Sequence, residues 1–436
     1  MSTKPLLHHA KGTSLIRNSL LMMATQGANL VLGFVFFLIA SKLLTREQVG
    51  IGADLIAAVT LCGAIGSVGV GSLLIRELPR SAGERWAQML TVCSIAGVAL
   101  TLAAAAVTVV VLPLISPDLA RYGRDPLYVA AFVLAAVLHV LGELLDRSFV
   151  AQRASALMFA RNTLVAVVRV ALIAIPAVTA LDAFGMAAAW VVAIALSVPY
   201  AVLMLRRARP GLRPIARGAL GELRRMRHLF AAQQVISLSN MTPQFILPLL
   251  VTALVDPRAA ALLVAAWRIA GGVLAISPAV STSLLAEGSH DASTIRTDTR
   301  KATVAILALL VPAVFVLLVA GPYLLGRMGT PDHSYRGAFG LLAILLIAAV
   351  PDAITNVFVA VLRIEDRLRL AAAMTSGMAV LIVGLTALLV GPLGIEGAGI
   401  AWLIAQTAGC GVVAWDLLRR SGGRYTASAT GSDRPA

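Results

Sequence analysis

An all-α polytopic membrane protein of about twelve transmembrane helices in two six-helix lobes is the fold this chain predicts, and three observations carry that prediction. Hydrophobic residues make up 59% of the 436 and charged ones only 13%, about half the charge of a soluble protein; the mean hydropathy is +0.89. Apolar runs of about twenty residues, the length that crosses a bilayer, recur along the chain between charged or Pro/Gly-bearing breaks. So little polar surface cannot wrap the apolar excess as globular cores. Helices satisfy their own backbone hydrogen bonds in lipid and fit the residue spacing where alternating strands do not.

Residues 1–16 are polar, carry Lys4 and Lys11, and lead into a long apolar run with no small-residue cleavage site, which reads as a retained first span and not a signal peptide. Spans then centre near Leu30, Leu61, Ala103, Ala136, Ala171, Ala195, Phe245, Leu274, Pro312, Ile347, Leu381 and Thr407. Residues 1–205 form the first lobe, 206–228 a basic linker, 229–420 the second lobe and 421–436, rich in Gly, Ser, Thr and Arg, a disordered tail. A shift of 212 residues lays Gly185–Trp190 on Gly397–Trp402 and Arg46 on Arg258. Six helices per half make this a parallel internal repeat, with a substrate site expected where the halves meet.

Of the 36 Lys and Arg, 27 fall on segments that are cytoplasmic if the N-terminus is inside, 7 on the opposite side and 2 within spans. That asymmetry puts both termini in the cytoplasm. The net charge of +15 then faces anionic membrane lipid, and no nucleic-acid partner is needed to explain it. Twelve spans leave no room for a soluble catalytic domain, and no GxxxxGK[ST] loop is present. Cys62, Cys93 and Cys410 never fall in a CxxC spacing, and His139 is the one histidine within a span, so the chain predicts no catalytic residues, no metal site and no cofactor, and is not read as an enzyme.

Candidate binding residues are the polar groups that lipid would not tolerate. Arg268 lies about 14 Å from the outer end of the eighth span at 1.5 Å per residue, with small residues at helical spacing beyond it; Arg169, about eleven residues into the fifth span, is read as similarly deep. A charge there costs about 2.5 kcal/mol or more. Both are cavity candidates for an anionic headgroup, against the alternatives of an acid partner for Arg268 and neutralisation of Arg169 by Glu143 or Asp146. Asp352, beside Pro351 and one turn before Asn356, is either a coupling-ion site or the ion-pair partner of Arg268. Asp54, about one turn from the outer end of its span, is expected to be solvated. Polar stripes at helical spacing mark the first span (Asn18, Thr25, Gln26, Asn29) and the seventh (Gln233, Ser237, Asn240, Gln244), and these too are expected to face protein or water.

The segment SKLLTREQVGIGADLIAAVTLCGAIGSVGVGSLLIREL, Ser41–Leu78, resembles the start of polysaccharide flippases of the multidrug/oligosaccharidyl-lipid/polysaccharide (MOP) exporter superfamily. Further resemblance lies in YLLGRMG at Tyr323–Gly329, NVFVAVLRIEDRLRL at Asn356–Leu370 and GPLGIEGAGIAW at Gly391–Trp402. The resemblance implies two six-helix lobes in a bacterial inner membrane that move a polyprenyl-diphosphate-linked oligosaccharide to the outer leaflet by alternating access, with lipids and other polysaccharide assembly proteins as partners. It also sets Arg268 at the position of a cavity arginine in related lipid II flippases. Two arginines against one acid deep in the spans, with few aromatics, favour an anionic substrate over the organic cation of a cation-coupled multidrug exporter. A glycosyltransferase or polymerase is opposed by the short outer loops. A non-transporting scaffold for glycan assembly would make the span charges dispensable.

Overall fold

The computed structural model describes residues 13–81, 83–115, 117–152, 154–208, 234–235, 238–239, 241, 243–278, 280–281, 295–330, 334–365 and 367–429. Among these, every regular element is helical. The order is α1 (Thr13–Leu43), α2 (Arg46–Glu77), α3 (Gly83–Ile115), α4 (Pro117–Arg124), α5 (Pro126–Ala151), α6 (Ser155–Ile173), α7 (Pro176–Thr179), α8 (Asp182–Ala208), α9 (Pro243–Leu254), α10 (Pro257–Leu274), α11 (Ile295–Arg327), α12 (Phe339–Ile364), α13 (Leu368–Leu393) and α14 (Glu396–Ala429). Eleven described helices are long and apolar enough to cross a membrane, and α9 is a shorter apolar helix at the expected seventh span.

Local chemistry sets the breaks. Thr45 caps α2 in a reciprocal capping box, accepting from Gln48 N at 3.2 Å while its own N–H donates to Gln48 Oε1 at 2.9 Å. Asp125 accepts from Leu127 N at 2.8 Å, with Pro126 opening α5. Gly394, at φ 62°, turns α13 into α14. The C-terminal helix continues to Ala429, so 421–429 are helical where composition predicted disorder.

Two compact units emerge: Met1–Arg268 with Gly326–Tyr335, and Ile269–Leu325 with Arg336–Ala436. In the first, α2 is the central helix, packing on α3, α5 and α8, and α1 packs on α6. In the second, α14 packs on both α12 and α13. Side chains such as Leu114, Val110, Phe315 and Val319 are among the most exposed, at 69–80%, while Asp54, Asp146, Arg161, Asp352 and Asp416 are buried. A soluble protein would show the reverse; lipid is the solvent this surface fits.

Candidate functional site

The first unit brings two of the expected residues together. A methyl group placed on Gly33 of α1 would lie 3.4 Å from Arg169 Nη2 and 3.7 Å from Arg268 Nη1. The guanidinium groups from α6 and α10 thus converge on one glycine face, where α1 has no side chain to fill the space. Among the described residues no carboxylate lies within ion-pair distance of either arginine. Arg169 donates Nη2 to the backbone oxygen of Asn29 at 3.4 Å and lies over the Phe36 ring at 5.8 Å; its Nε is buried without a partner among the described residues. Arg268 is exposed although it sits eleven residues into its helix. Both nitrogens lie within 4 Å of one point, so they are at most about 7 Å apart, where two cations repel by about 2 kcal/mol or more at an effective dielectric of 20, and an anion that bridges them would relieve that repulsion.

The acids that stand as alternative partners for Arg169 are engaged elsewhere. Asp146 of α5 takes both Arg161 Nε (2.7 Å) and Arg161 Nη2 and also accepts Asn162 Nδ2 at 2.7 Å; Glu143 pairs with Arg147 at 3.6 Å. Depth explains this. Asp146 and Arg161 stand five and six residues from the α5–α6 turn, whereas Arg169 is four residues from the far end of α6. Arg169 is therefore one turn from a helix terminus, not as deep as the sequence suggested.

The first-span stripe divides. Asn29 donates to Asn162 Oδ1 at 3.4 Å, Gln26 is exposed, and Thr25 bonds to its own helix at Leu21 O (2.7 Å). The side chain of Asn18 lies outside the described set, as do Gln233, Ser237 and Asn240 of the seventh-span stripe. Gln244 is exposed. Gln234, not singled out from the sequence, bonds to α2 through Gly69 N and, at 2.7 Å, Ile65 O. Asn162 and Phe36 were missed as well; Asn162 was readable only as a polar residue one position from Arg161.

Asp54 corrects an expectation. It is fully buried, not solvated, because α2 begins at Arg46, two turns earlier, and packs on three helices. Its Oδ2 accepts the Thr252 hydroxyl and its Oδ1 has no partner among the described residues.

In the second unit Asp352 is held by amides. Asn356 Nδ2 donates to Asp352 Oδ2 at 2.9 Å and Gln406 Nε2 to Oδ1 at 2.9 Å, while Thr355 Oγ1 donates to Gln406 Oε1 at 2.8 Å. Both carboxylate oxygens are thus satisfied within the unit. Beside this cluster lies an apolar cavity of about 560 Å³ lined by α11, α12 and α14, including Pro351 and Cys410. Outside the spans, burial pushes the Tyr335 phenol above its usual range, and the Arg121 guanidinium is raised by its hydrogen bond to Tyr128 Oη at 2.7 Å.

Comparison with known proteins gives no family model and no curated sequence that matches, but several solved structures. A multidrug resistance MATE family transporter of the MOP superfamily, in an inward-facing conformation, aligns with a TM-score of 0.69 at 16% identity over 92% of this chain and 96% of that one. The lipid II flippase MurJ, in an inward closed conformation, aligns at 0.71 and 11% identity over 89% and 85%. A MOP superfamily transporter from Pyrococcus furiosus, reported with reversed binding-pocket polarity, aligns at 0.63 and 16% over 97% and 99%. At these identities the likeness establishes architecture: this multi-pass membrane chain has the polytopic helical fold shared by MOP superfamily transporters.

Proposed function

We propose that this protein is a flippase of the bacterial inner membrane, with both termini cytoplasmic, that moves a polyprenyl-diphosphate-linked oligosaccharide from the inner to the outer leaflet by alternating access between two six-helix halves. The observation that carries this reading is the pair of guanidinium groups from Arg169 and Arg268, unpaired by any described acid and converging on Gly33. A diphosphate supplies the two negative charges and the acceptor oxygens that such a pair lacks. Asn29, through Asn162, sets the α1–α6 contact beside it, and Gln26, with Asn18, Gln233, Asn240 and Gln244, would meet sugar hydroxyls. The lipid II flippase likeness supports a lipid-linked substrate. Each charge moved across 100 mV is worth about 2.3 kcal/mol, so with the cytoplasm negative the potential drives a diphosphate outward without nucleotide hydrolysis.

A second reading, a cation-coupled exporter of small molecules, draws on the MATE likeness and on the buried carboxyl of Asp352, whose amide partners Asn356 and Gln406 a coupling ion or proton would have to displace. The test reconstitutes the protein in liposomes with a fluorescent polyprenyl-diphosphate oligosaccharide. Wild type is expected to move the lipid between leaflets and Arg268→Ala to fail. Export of an organic cation by both, with no movement of the lipid, would replace the flippase reading by the second.

A further inference from the structure

A second chemically loaded contact in the first unit lies away from the arginines. The distribution of basic residues places the turns near Thr45, Asp256 and Thr330 on the outer side. There Phe37 and Tyr335 pack edge to face at 6.1 Å, Gly329 N donates to Ser41 Oγ at 3.2 Å, and Gly50 leaves no room for a Cβ beside the Pro257 carbonyl. These contacts join the α1–α2 hairpin to Pro257, Gly329 and Tyr335, and Asp54 is buried on the same stretch of α2.

The charges around Asp54 lie at a distance or are already paired. At the start of α2, Glu47 pairs with Arg258 at 3.0 Å, and Asp182 of α8 accepts Gln48 Nε2 at 2.7 Å; Glu47 and Gln48 stand about 9–11 Å along the helix from Asp54 at 1.5 Å per residue. On α5, His139 packs on Gly63, nine residues deeper. From α9 the group is Thr252, a neutral hydroxyl. Among the described residues this carboxyl has one hydrogen bond and no counter-charge, and a carboxylate so placed away from water is a high-energy state. A proton on Oδ1 removes the charge and leaves Oδ2 free to accept from Thr252.

We propose that Asp54 and Thr252 form a proton-binding latch at the outer end of the protein: the closed contact holds Asp54 protonated, and separation of α2 from α9 exposes the carboxyl to outer water, where it releases that proton. Opening breaks the O–H bond and the Thr252 hydrogen bond, and the proton goes to solvent; closing reverses both. Because the closed form binds one more proton, it gains as outer pH falls and is lost as outer pH rises. This goes beyond the flippase reading and does not depend on it.

The experiment uses the full chain in right-side-out vesicles, with Cys62, Cys93 and Cys410 replaced by Ala and Ala57→Cys as reporter. Ala57 is 8% exposed and lies one turn deeper than Asp54 on α2. A membrane-impermeant maleimide is added outside over a range of pH, with and without Asp54→Asn, which mimics the protonated acid. The ratio of the two labelling rates cancels the thiol's own pH dependence. It is expected to rise with pH, by up to about tenfold per unit for one proton released per opening. Thr252→Val, which keeps the acid and removes its partner, should label faster than the parent at low pH. A ratio flat with pH, or one that follows outer sodium at fixed pH, would overturn the proton latch. So would a Thr252→Val rate equal to the parent's.

Discussion

Arg161 and Arg169 stand eight residues apart on one helix, about 12 Å at 1.5 Å per residue, and their surroundings are opposite. Arg161 is 4% exposed, meets Asp146 with two nitrogens and Ser197 Oγ with a third at 3.2 Å, and has nothing left to offer a ligand. Arg169 has a distant backbone oxygen, an aromatic ring and a second arginine for company. A charge inside a membrane protein is not evidence of a binding site; a charge that the fold leaves without a partner is. Asp352 falls on the satisfied side of this divide and Asp54 on the unsatisfied one.

The comparison breaks first at Asp146. Asp146→Ala leaves Arg161 buried with no counter-charge and should destabilise the protein by about 3–5 kcal/mol, read as a lowered unfolding midpoint in detergent. Asp146→Leu combined with Arg161→Met should cost much less than either change alone; an equal or larger loss would show that the pair does more than neutralise itself. Arg169→Gln is the contrasting case. It removes a cation repelled by Arg268, so the unfolding midpoint should hold or rise, while affinity for a polyprenyl diphosphate falls at least about tenfold, the scale of one charge-assisted hydrogen bond worth about 1.5–3 kcal/mol.

Asn162 joins the two regions, donating to Asp146 at 2.7 Å and accepting from Asn29 at 3.4 Å. Asn162→Ala should cost about 1–2 kcal/mol of stability, as for a buried polar group left unsatisfied, and weaken diphosphate binding a few-fold. Gly33→Ala is the mildest change. Its methyl would meet both arginines at ordinary contact distance, so the fold should persist and ligand affinity drop only by the space the methyl takes.

The spans and the two lone arginines were legible because lipid is an unforgiving solvent: a twenty-residue apolar run has one use, and a guanidinium inside it is conspicuous. Convergence was not legible, since nothing in the residues near 169 and 268 says that both side chains turn to Gly33. Pairing was half legible. Equal depth from the α5–α6 turn would have matched Asp146 to Arg161 and freed Arg169, but counting depth from an assumed helix end put Arg169 too deep. Asp54 is a related case: its position along α2 suggests solvent, and the three helices packed on α2 exclude it. The amides that hold Asp352 come from i+4 on α12 and from α14, and the second is a contact no local pattern announces.

The central claim, that Arg169 and Arg268 together hold an anionic diphosphate, is tested most directly by thermal unfolding of the purified protein titrated with a short-chain polyprenyl diphosphate. Ligand at a hundred times its Kd should stabilise wild type by about 2.7 kcal/mol, and the double variant Arg169→Gln/Arg268→Gln should fold normally and gain nothing. Equal stabilisation of both proteins, or stabilisation of wild type by an organic cation and not by the diphosphate, would contradict it.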